Sequence, residues 1–541
     1  MSMQRIRAWI ESGKADEALQ ALRPLVAARP RDAEVWWLMG RALYRLGHQA
    51  EAQRALSTAV SHNPDHPDAL TDLGLVLVVA GERHTPRQLA DRVLARRPND
   101  AQATFLRGLA LRTDGDVPGA IQALQRAVAL SPRSALYRAN LASTLEASNQ
   151  NTAAEAIARS ALAISPQDCL AQQTLARLLR VRGALAEAEQ HLSRLVDSPH
   201  TPPPERAWAY AERGLVRDQQ HQCAEAFADF CASNAILADQ PQARAIDHAH
   251  FPALLTAIRS WLAQRPPARA RTPVSTARVL FFVGFPRSGT TLTQQLLEAT
   301  GHIVGAEEKE VLADTIRDLA RIRPGGVAYP FEIDSLTDAE RAHLAERYTE
   351  RLTALTPDVP SGGFRMDKMP LNVIHLPFIR LLFPDAPVIM ALRDPRDCVL
   401  SALMQTFTPT VAMVHFGTLP STAAVYAQVM DIYLHYTRDP LLYTIRYESL
   451  VTDLRGTLEP VLTQLGVPWS DAIEHYHKQS RGRHIATPSH QDVQKPLFQR
   501  ASGRWRRYLP SLGPVLPTLE PYVQALGYPP SPDAQPMPAP G

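Results

Sequence analysis

The chain has 541 residues, which at roughly 150 residues per domain makes more than one folding unit. Hydrophobic residues make up 45% and charged residues 21%, a globular balance that excludes a mainly disordered or collagen-like chain. Lys and Arg number 57 against 54 Asp and Glu, and a formal charge of +3 gives no footing for a long anionic polymer such as nucleic acid.

The four cysteines, Cys169, Cys223, Cys231 and Cys398, form no CxxC pair. Neither a disulfide framework nor a structural zinc site is therefore expected, and a reducing, cytoplasmic setting fits. The opening stretch MSMQRIRAWIESGKADEAL has no uninterrupted apolar region of the signal-peptide kind. The longest apolar runs, such as Leu75–Ala80 and Val279–Val283, fall far short of the ~20 residues a membrane span needs.

In chain order, the first signal is a proline period. Pro30, Pro64, Pro98, Pro132 and Pro166 are 34 residues apart, the length of a tetratricopeptide helix–turn–helix repeat. The eighth position after each proline–x–x is small (Gly40, Gly74, Gly108, Ala142, Ala176), which lets the two helices of a repeat lie close. The twentieth is Ala52, Ala120, Ala154 and Ala188, but Pro86 in one repeat, whose second helix should start late. A preceding copy carries Gly13, Ala18 and Pro30. A seventh, after the insertion Thr201–Pro204, carries Gly214, Ala226 and Phe230. About seven repeats over residues 1–240 predict an α-solenoid with a continuous core and a concave face. An assembly scaffold and a groove for an acceptor or partner chain are both open.

Residues 241–276 read as a connecting helix and linker, Pro- and Arg-rich at Gln264–Pro273. From 277 to 528, short apolar runs alternate with helical segments: Val279–Val283, Thr291–Ala299, Val388–Leu392, Pro395–Met404. That alternation predicts an α/β domain with a central parallel sheet. Thr337-x-x-Glu340 predicts a capping box opening a helix through about Leu355. The tail 529–541, PPSPDAQPMPAPG, is too proline-rich to pack and is expected to be disordered.

The stretch VLFFVGFPRSGTTLTQQLLEATG, residues 279–301, is an apolar strand, a turn Gly284-Phe-Pro-Arg-Ser-Gly-Thr-Thr291 and an amphipathic helix. Backbone N–H groups of such a turn and the helix N-terminus make an anion site. The nucleoside-triphosphate version is GxxxxGK(S/T), whose Lys reaches the β/γ-phosphates and whose Ser/Thr holds Mg²⁺. Here Gly284 and Gly289 keep the spacing, Thr290 replaces the lysine, and the cation is Arg287 inside the loop. A γ-phosphoryl group needs a metal bridge and a lysine; a singly charged sulfuryl group can be held by an arginine and a few N–H and hydroxyl donors without metal.

PRSGTT after a strand resembles the 5′-phosphosulfate loop of sulfotransferases, which use 3′-phosphoadenosine 5′-phosphosulfate (PAPS), and the arginine is similar to the protein-tyrosine type. The chain is identified as a member of a bacterial family that fuses tetratricopeptide repeats to such a domain, the likeness covering about 277–510 and 1–240. The resemblance implies that Arg287, Ser288, Gly289, Thr290 and Thr291 hold the phosphosulfate. It makes a glutamate of Gly305-Ala-Glu-Glu-Lys309 the catalytic base: Glu308 by its distance from Arg287, or Glu307 if the register differs by one. It assigns Lys368, in Asp367-Lys-Met-Pro-Leu-Asn372, to the bridging oxygen of the leaving group, with Arg287 on the other side of the transferring group.

The resemblance gives the 3′-phosphate to Arg393 and Ser401. Tyr447, in Leu442–Leu450, is implied near the nucleotide, with a core tyrosine as the plain alternative. Arg396 reads equally as a surface helix residue. Lys495, in Thr487–Tyr508, matches a lysine near the 3′-phosphate within a loop implied to close over PAPS. Arg500, Arg504, Arg506 and Arg507 flank Trp505, thin support for a nucleic-acid patch. His475 and His477 fall on different faces of a helix and make no metal site, while His302 or His375 is a conceivable rival base. The implied activity is sulfuryl transfer from PAPS to a hydroxyl acceptor (class EC 2.8.2), with a peptide or protein tyrosine among the acceptors and no metal. A P-loop kinase and a scaffold with a silent nucleotide domain are the rival readings, and a homodimer stays open.

Overall fold

The structure is a computed structural model describing residues 2–264, 272–306, 308–476 and 502–531. Glu307, His477, Lys495, Arg500, most of the linker and most of the tail lie outside the described residues. Two compact units divide the chain, Met1–Glu205 and Arg206–Gly541.

The first unit is six helix pairs: α1 (Met3–Glu11) with α2 (Ala15–Ala28), α3 (Ala33–Arg45) with α4 (Gln49–His62), α5 (Pro67–Val79) with α6 (His84–Arg96), α7 (Ala101–Asp114) with α8 (Val117–Leu130), α9 (Ala135–Ala147) with α10 (Asn151–Ile164), and α11 (Cys169–Arg182) with α12 (Leu185–Asp197). Each proline of the 34-residue period precedes a cap. Asp32, His66, Asp100, Ser134 and Asp168 accept N–H bonds from the first turns of α3, α5, α7, α9 and α11 at 2.9–3.3 Å. The small positions behave as the packing argument requires. A Cβ on Gly40 would lie 2.5 Å from Leu56 of α4, and one on Gly108 would lie 2.8 Å from Leu124 of α8. Gly74 differs, since its close neighbour is Leu106 of the following pair, at 2.3 Å. Helix α6, carrying Pro86, begins one residue later in the repeat frame than α4, α8, α10 and α12.

The second unit opens with the seventh pair, α13 (Pro203–Gln219) and α14 (Cys223–Ala238), so the compact units part at Glu205 rather than at residue 240. The attachment is polar as well as apolar. Within the pair, buried Asp229 of α14 accepts from Arg213 and Arg217 of α13 at 2.7–3.0 Å; out of the pair, Asn234 donates to the carbonyl of Leu403 at 2.8 Å. Gly214 seats the ring of Phe230, which a Cβ there would meet at 2.6 Å.

Helices α15 (Pro241–Arg244) and α16 (His250–Ala263) lead to β1 (Val279–Gly284) and α17 (Thr290–Glu298). Then come β2 (Ile303–Ala306), α18 (Val311–Asp318), α19 (Asp338–Leu355), β3 (Phe364–Lys368), α20 (Leu376–Leu382), β4 (Val388–Leu392), α21 (Pro395–Leu403) and α22 (Leu419–Leu434). The unit closes with β5 (Leu442–Arg446), α23 (Tyr447–Thr452), α24 (Leu454–Leu465), α25 (Leu509–Leu512) and α26 (Leu516–Ala525). Helix α19 opens on the capping box Thr337–Glu340. The sheet is parallel throughout, in the order β2-β3-β1-β4-β5. Strand β1 is buried on both faces: Val279, Phe281 and Val283 join one core, Leu280 and Phe282 the other. Strands β2 and β3 were not legible, because IVGA is short and FRMDK carries three charges. Among the described residues no helix is long and apolar enough to cross a membrane.

One core carboxyl is unusual. Asp367 of β3 is buried, accepts the Tyr348 hydroxyl at 2.6 Å and has Asn372 at 3.4 Å. Burial raises it to about 6.

Two outcomes follow for stability. Gly214→Ala should lower the unfolding free energy by ~1–3 kcal/mol, because the Phe230 ring cannot yield to the added methyl; denaturant midpoints measure it. For Asp367, the folded state keeps a proton that the unfolded state loses near pH 4, so its contribution is full below that pH and fades as pH rises to about 6. Asp367→Asn should remove this loss, so its stability relative to the parent should rise between pH 4 and pH 7, by roughly 3 kcal/mol at most. A pH series of denaturation curves showing parallel profiles would contradict it.

Candidate active site at the carboxyl ends of the strands

In a parallel sheet, the strand ends where the order changes direction form a crevice. Here β1 lies between β3 and β4, and its carboxyl end runs into the loop Phe285–Gly289. Phe285 anchors the loop against Phe416 and Tyr426, with ring centres 5.4 and 4.8 Å away. Beyond it the backbone turns left-handed twice, at Arg287 (φ 73°) and Gly289 (φ 94°), which curls the loop around its own N–H groups. Space dictates both glycines. A Cβ on Gly284 would lie 2.8 Å from Ser288 Oγ and 3.0 Å from the Ala391 carbonyl, and one on Gly289 would lie 2.6 Å from the Tyr447 ring.

Gly289 caps α17 without a side chain, and Thr290 and Thr291 are buried in the first turn. A helix that starts without a side-chain cap presents its first-turn N–H groups toward the loop. Ser288 Oγ is buried with no hydrogen-bond partner among the described residues. A buried hydroxyl in a native fold takes a partner, and a bound anion is one that would serve. These residues fit a phosphate or sulfonate group.

A cluster of basic and hydroxyl side chains stands beside the loop. Strand β4 ends at Leu392; Arg393 follows, and Asp394 caps α21 by accepting from the Arg396 N–H at 3.0 Å, with Pro395 at the first helical position. Arg393 donates to the Arg287 carbonyl at 3.0 Å and lies over the Tyr447 ring at 5.1 Å. Ser401, two turns along α21, accepts from Arg287 Nε at 3.2 Å. Arg287, Arg393, Ser401 and Tyr447 are therefore one cluster.

Lys368 and Glu308 make a second cluster. Lys368 ends β3, in register with Phe282 of β1, and Glu308 follows the end of β2. They form an ion pair in which the lysine side chain is 1% exposed and the glutamate 42%. The cation is thus inside the domain while the carboxylate opens outward. The Arg287 side chain donates to Ser401.

Other expectations resolve differently. Arg396 is fully buried and donates twice to Asp394 at 2.7 and 2.9 Å. It stacks 3.7 Å over Trp505 and donates to Ser531 Oγ and the Pro529 carbonyl. The surface reading of Arg396 fails because a buried guanidinium must be paired, and the start of the tail, residues 529–531, packs because it supplies acceptors. Arg504 and Arg507 turn to Asp218 instead of forming a basic patch.

The two rival histidines lie in different surroundings. His302 precedes β2, at the opposite end of the sheet. His375 is bonded to the Tyr329 hydroxyl at 2.7 Å, and burial holds it down near 3. Two residues escaped the reading of the sequence. Asp397 is buried one turn beyond Arg393, and its pKa is raised by that burial. Glu448 accepts from the Asp394 N–H and the Tyr528 hydroxyl. The spacing Arg393–Asp397 (i, i+4) was the available signal for the first.

Both parts of the chain resemble known proteins. Residues 280–471 match the sulfotransferase family. Residues 14–134 match the tetratricopeptide repeat domain of cytochrome c-type biogenesis protein H, and residues 115–169 match the tetratricopeptide repeat. The chain is 24% identical over 275 residues to protein-tyrosine sulfotransferase 2 of Gallus gallus, covering 47% of this chain and 70% of that one. It is 24% identical over 267 residues to protein-tyrosine sulfotransferase A of Caenorhabditis elegans, covering 47% and 68%. An uncharacterized protein of Aquifex aeolicus (strain VF5) is 26% identical over 251 residues, 45% of this chain and 32% of that protein, so the match spans about a third of that relative's length. The chain thus resembles tetratricopeptide-repeat proteins in its amino-terminal part and the sulfotransferase family over residues 280–471.

Proposed function

We propose that this domain moves the sulfuryl group of PAPS to a hydroxyl acceptor, and that the acceptor is a tyrosine of a peptide or protein. The observation that carries the reading is the Lys368–Glu308 pair at the ends of adjoining strands, next to a loop with an unpartnered buried hydroxyl. The names of the Gallus gallus and Caenorhabditis elegans relatives support the tyrosine acceptor. The donor supplies the sulfuryl group and leaves as adenosine 3′,5′-bisphosphate. Glu308, at the exposed end of the ion pair, takes the proton of the attacking hydroxyl as the new bond forms. Lys368 is fixed and buried, so it can stabilise negative charge on the departing oxygen without reorganising. The N–H groups of Gly289–Thr291 and the Ser288 hydroxyl hold the phosphosulfate. Arg393 and Ser401 hold the 3′-phosphate, for which a guanidinium fork is suited, and Arg287 bridges the two groups. The unpaired thiols Cys169, Cys223, Cys231 and Cys398 support a cytoplasmic setting.

Calorimetry should show adenosine 3′,5′-bisphosphate binding in the micromolar range, with affinity roughly 10- to 100-fold weaker in Arg393→Ala. Equal affinity for ADP in the parent protein would overturn the assignment. Transfer of label from PAPS to a tyrosine-containing peptide should fall ~10²–10⁴-fold in Glu308→Gln while adenosine 3′,5′-bisphosphate binding persists.

A further inference from the structure

The segment Gly503–Tyr508 lies between the seventh helix pair and the nucleotide end of the sheet, and buried carboxylates hold it on both sides. On one side, Asp397 of α21 accepts the backbone N–H of Gly503 at 2.7 Å and of Trp505 at 2.8 Å. On the other, Asp218 of α13, itself 5% exposed, receives three side chains of the segment. Arg504 donates to it from both Nε and Nη2, Arg507 Nη2 lies 3.3 Å away, and the Tyr508 hydroxyl donates at 2.8 Å. The two arginines hold Asp218 below the ordinary carboxylate range in spite of its burial.

Asp397 is also the acidic neighbour of Arg393. Its Oδ2 stands 3.9 Å from Arg393 Nη2, and the same oxygen takes the Gly503 N–H. The Asp397 side chain is 0% exposed, so these partners and not solvent satisfy its carboxylate. Arg393 in turn holds the Arg287 carbonyl of the anion loop. A continuous run of charge-assisted contacts therefore passes from α13, through the segment, to the guanidinium placed at the 3′-phosphate.

We propose that Asp218 is a positioning residue for the nucleotide: by holding Arg504–Tyr508 it fixes Asp397, and through Asp397 the fork of Arg393. This rests on the reading of Arg393 as the 3′-phosphate ligand. It makes the seventh helix pair a working part of the transferase domain and explains why the pair belongs to that compact unit. A small misplacement of a binding fork weakens what depends on its geometry and leaves the rest of the ligand's contacts intact.

The test uses the full chain and two probes, adenosine 3′,5′-bisphosphate and 5′-AMP, whose only difference is the 3′-phosphate. Asp218→Asn should reduce the affinity ratio between them by about 2- to 30-fold, with 5′-AMP affinity nearly unchanged. Tyr508→Phe removes one donor to Asp218 without altering the fold's volume; it should shift the same ratio in the same direction by less, which covers the case in which Asp218→Asn does not fold. In a cycle with Asp397→Asn, the two changes should be non-additive on the ratio. A parent protein that binds both probes alike would overturn the functional reading and this proposal with it. A parent that prefers adenosine 3′,5′-bisphosphate, with variants keeping that ratio or losing both probes equally, would overturn the positioning role alone.

Discussion

Three cations, Lys368, Arg393 and Arg396, are buried at the carboxyl end of one parallel sheet, and everything around them is arranged to pair them. A charge taken out of water is tolerable only when a counter-charge and hydrogen bonds replace its solvent. Glu308 meets Lys368, Asp394 meets Arg396 through a two-pronged bond, and Asp397 stands beside Arg393. These partners are not equivalent. Arg396 spends its donors on Asp394, Ser531 and Pro529 and is structural. Lys368 faces a half-exposed carboxylate, and Arg393 reaches the anion loop. The cations that keep contact with the crevice are the ones available to a ligand.

The same demand for pairing shapes the rest of the domain. Asp397 needs donors and finds two backbone N–H groups in Gly503–Trp505. That segment carries arginines of its own, which need an anion and find Asp218. Pairing thus spreads outward from the sheet to the seventh helix pair. The repeats of the first unit are held differently, by small residues at close helix contacts and by a cap after each proline, with few buried charges. One unit is built mainly by shape and the other by shape plus electrostatics.

Much of this could be read from one dimension. The period of the prolines, the small residues behind them and the late start at Pro86 all mark local packing that recurs at fixed spacing. The loop from Gly284 to Thr291 was legible because each residue there answers to a steric or hydrogen-bonding need of its immediate neighbours. The capping box at Thr337–Glu340 and the cap at Asp394 are likewise local. What escaped was non-local. Strand β3 carries Arg365, Asp367 and Lys368 and looks like surface; it is a strand because β1 and β2 flank it. Arg396 looked like solvent-facing helix because Trp505 and Ser531, its cover, lie more than a hundred residues away in sequence.

The sequence by itself determined the two building plans, a helical repeat and a strand–loop–helix anion site, since both are written in short-range patterns of size, turn propensity and hydrogen-bonding capacity. Only the tertiary structure decided which charges meet: that Glu308 pairs with Lys368, that Arg287 turns to Ser401, and that Asp218 meets Arg504, Arg507 and Tyr508. The pairing of buried charges depends on which strand ends and helix turns come within a few ångströms, and no spacing along the chain specifies that distance.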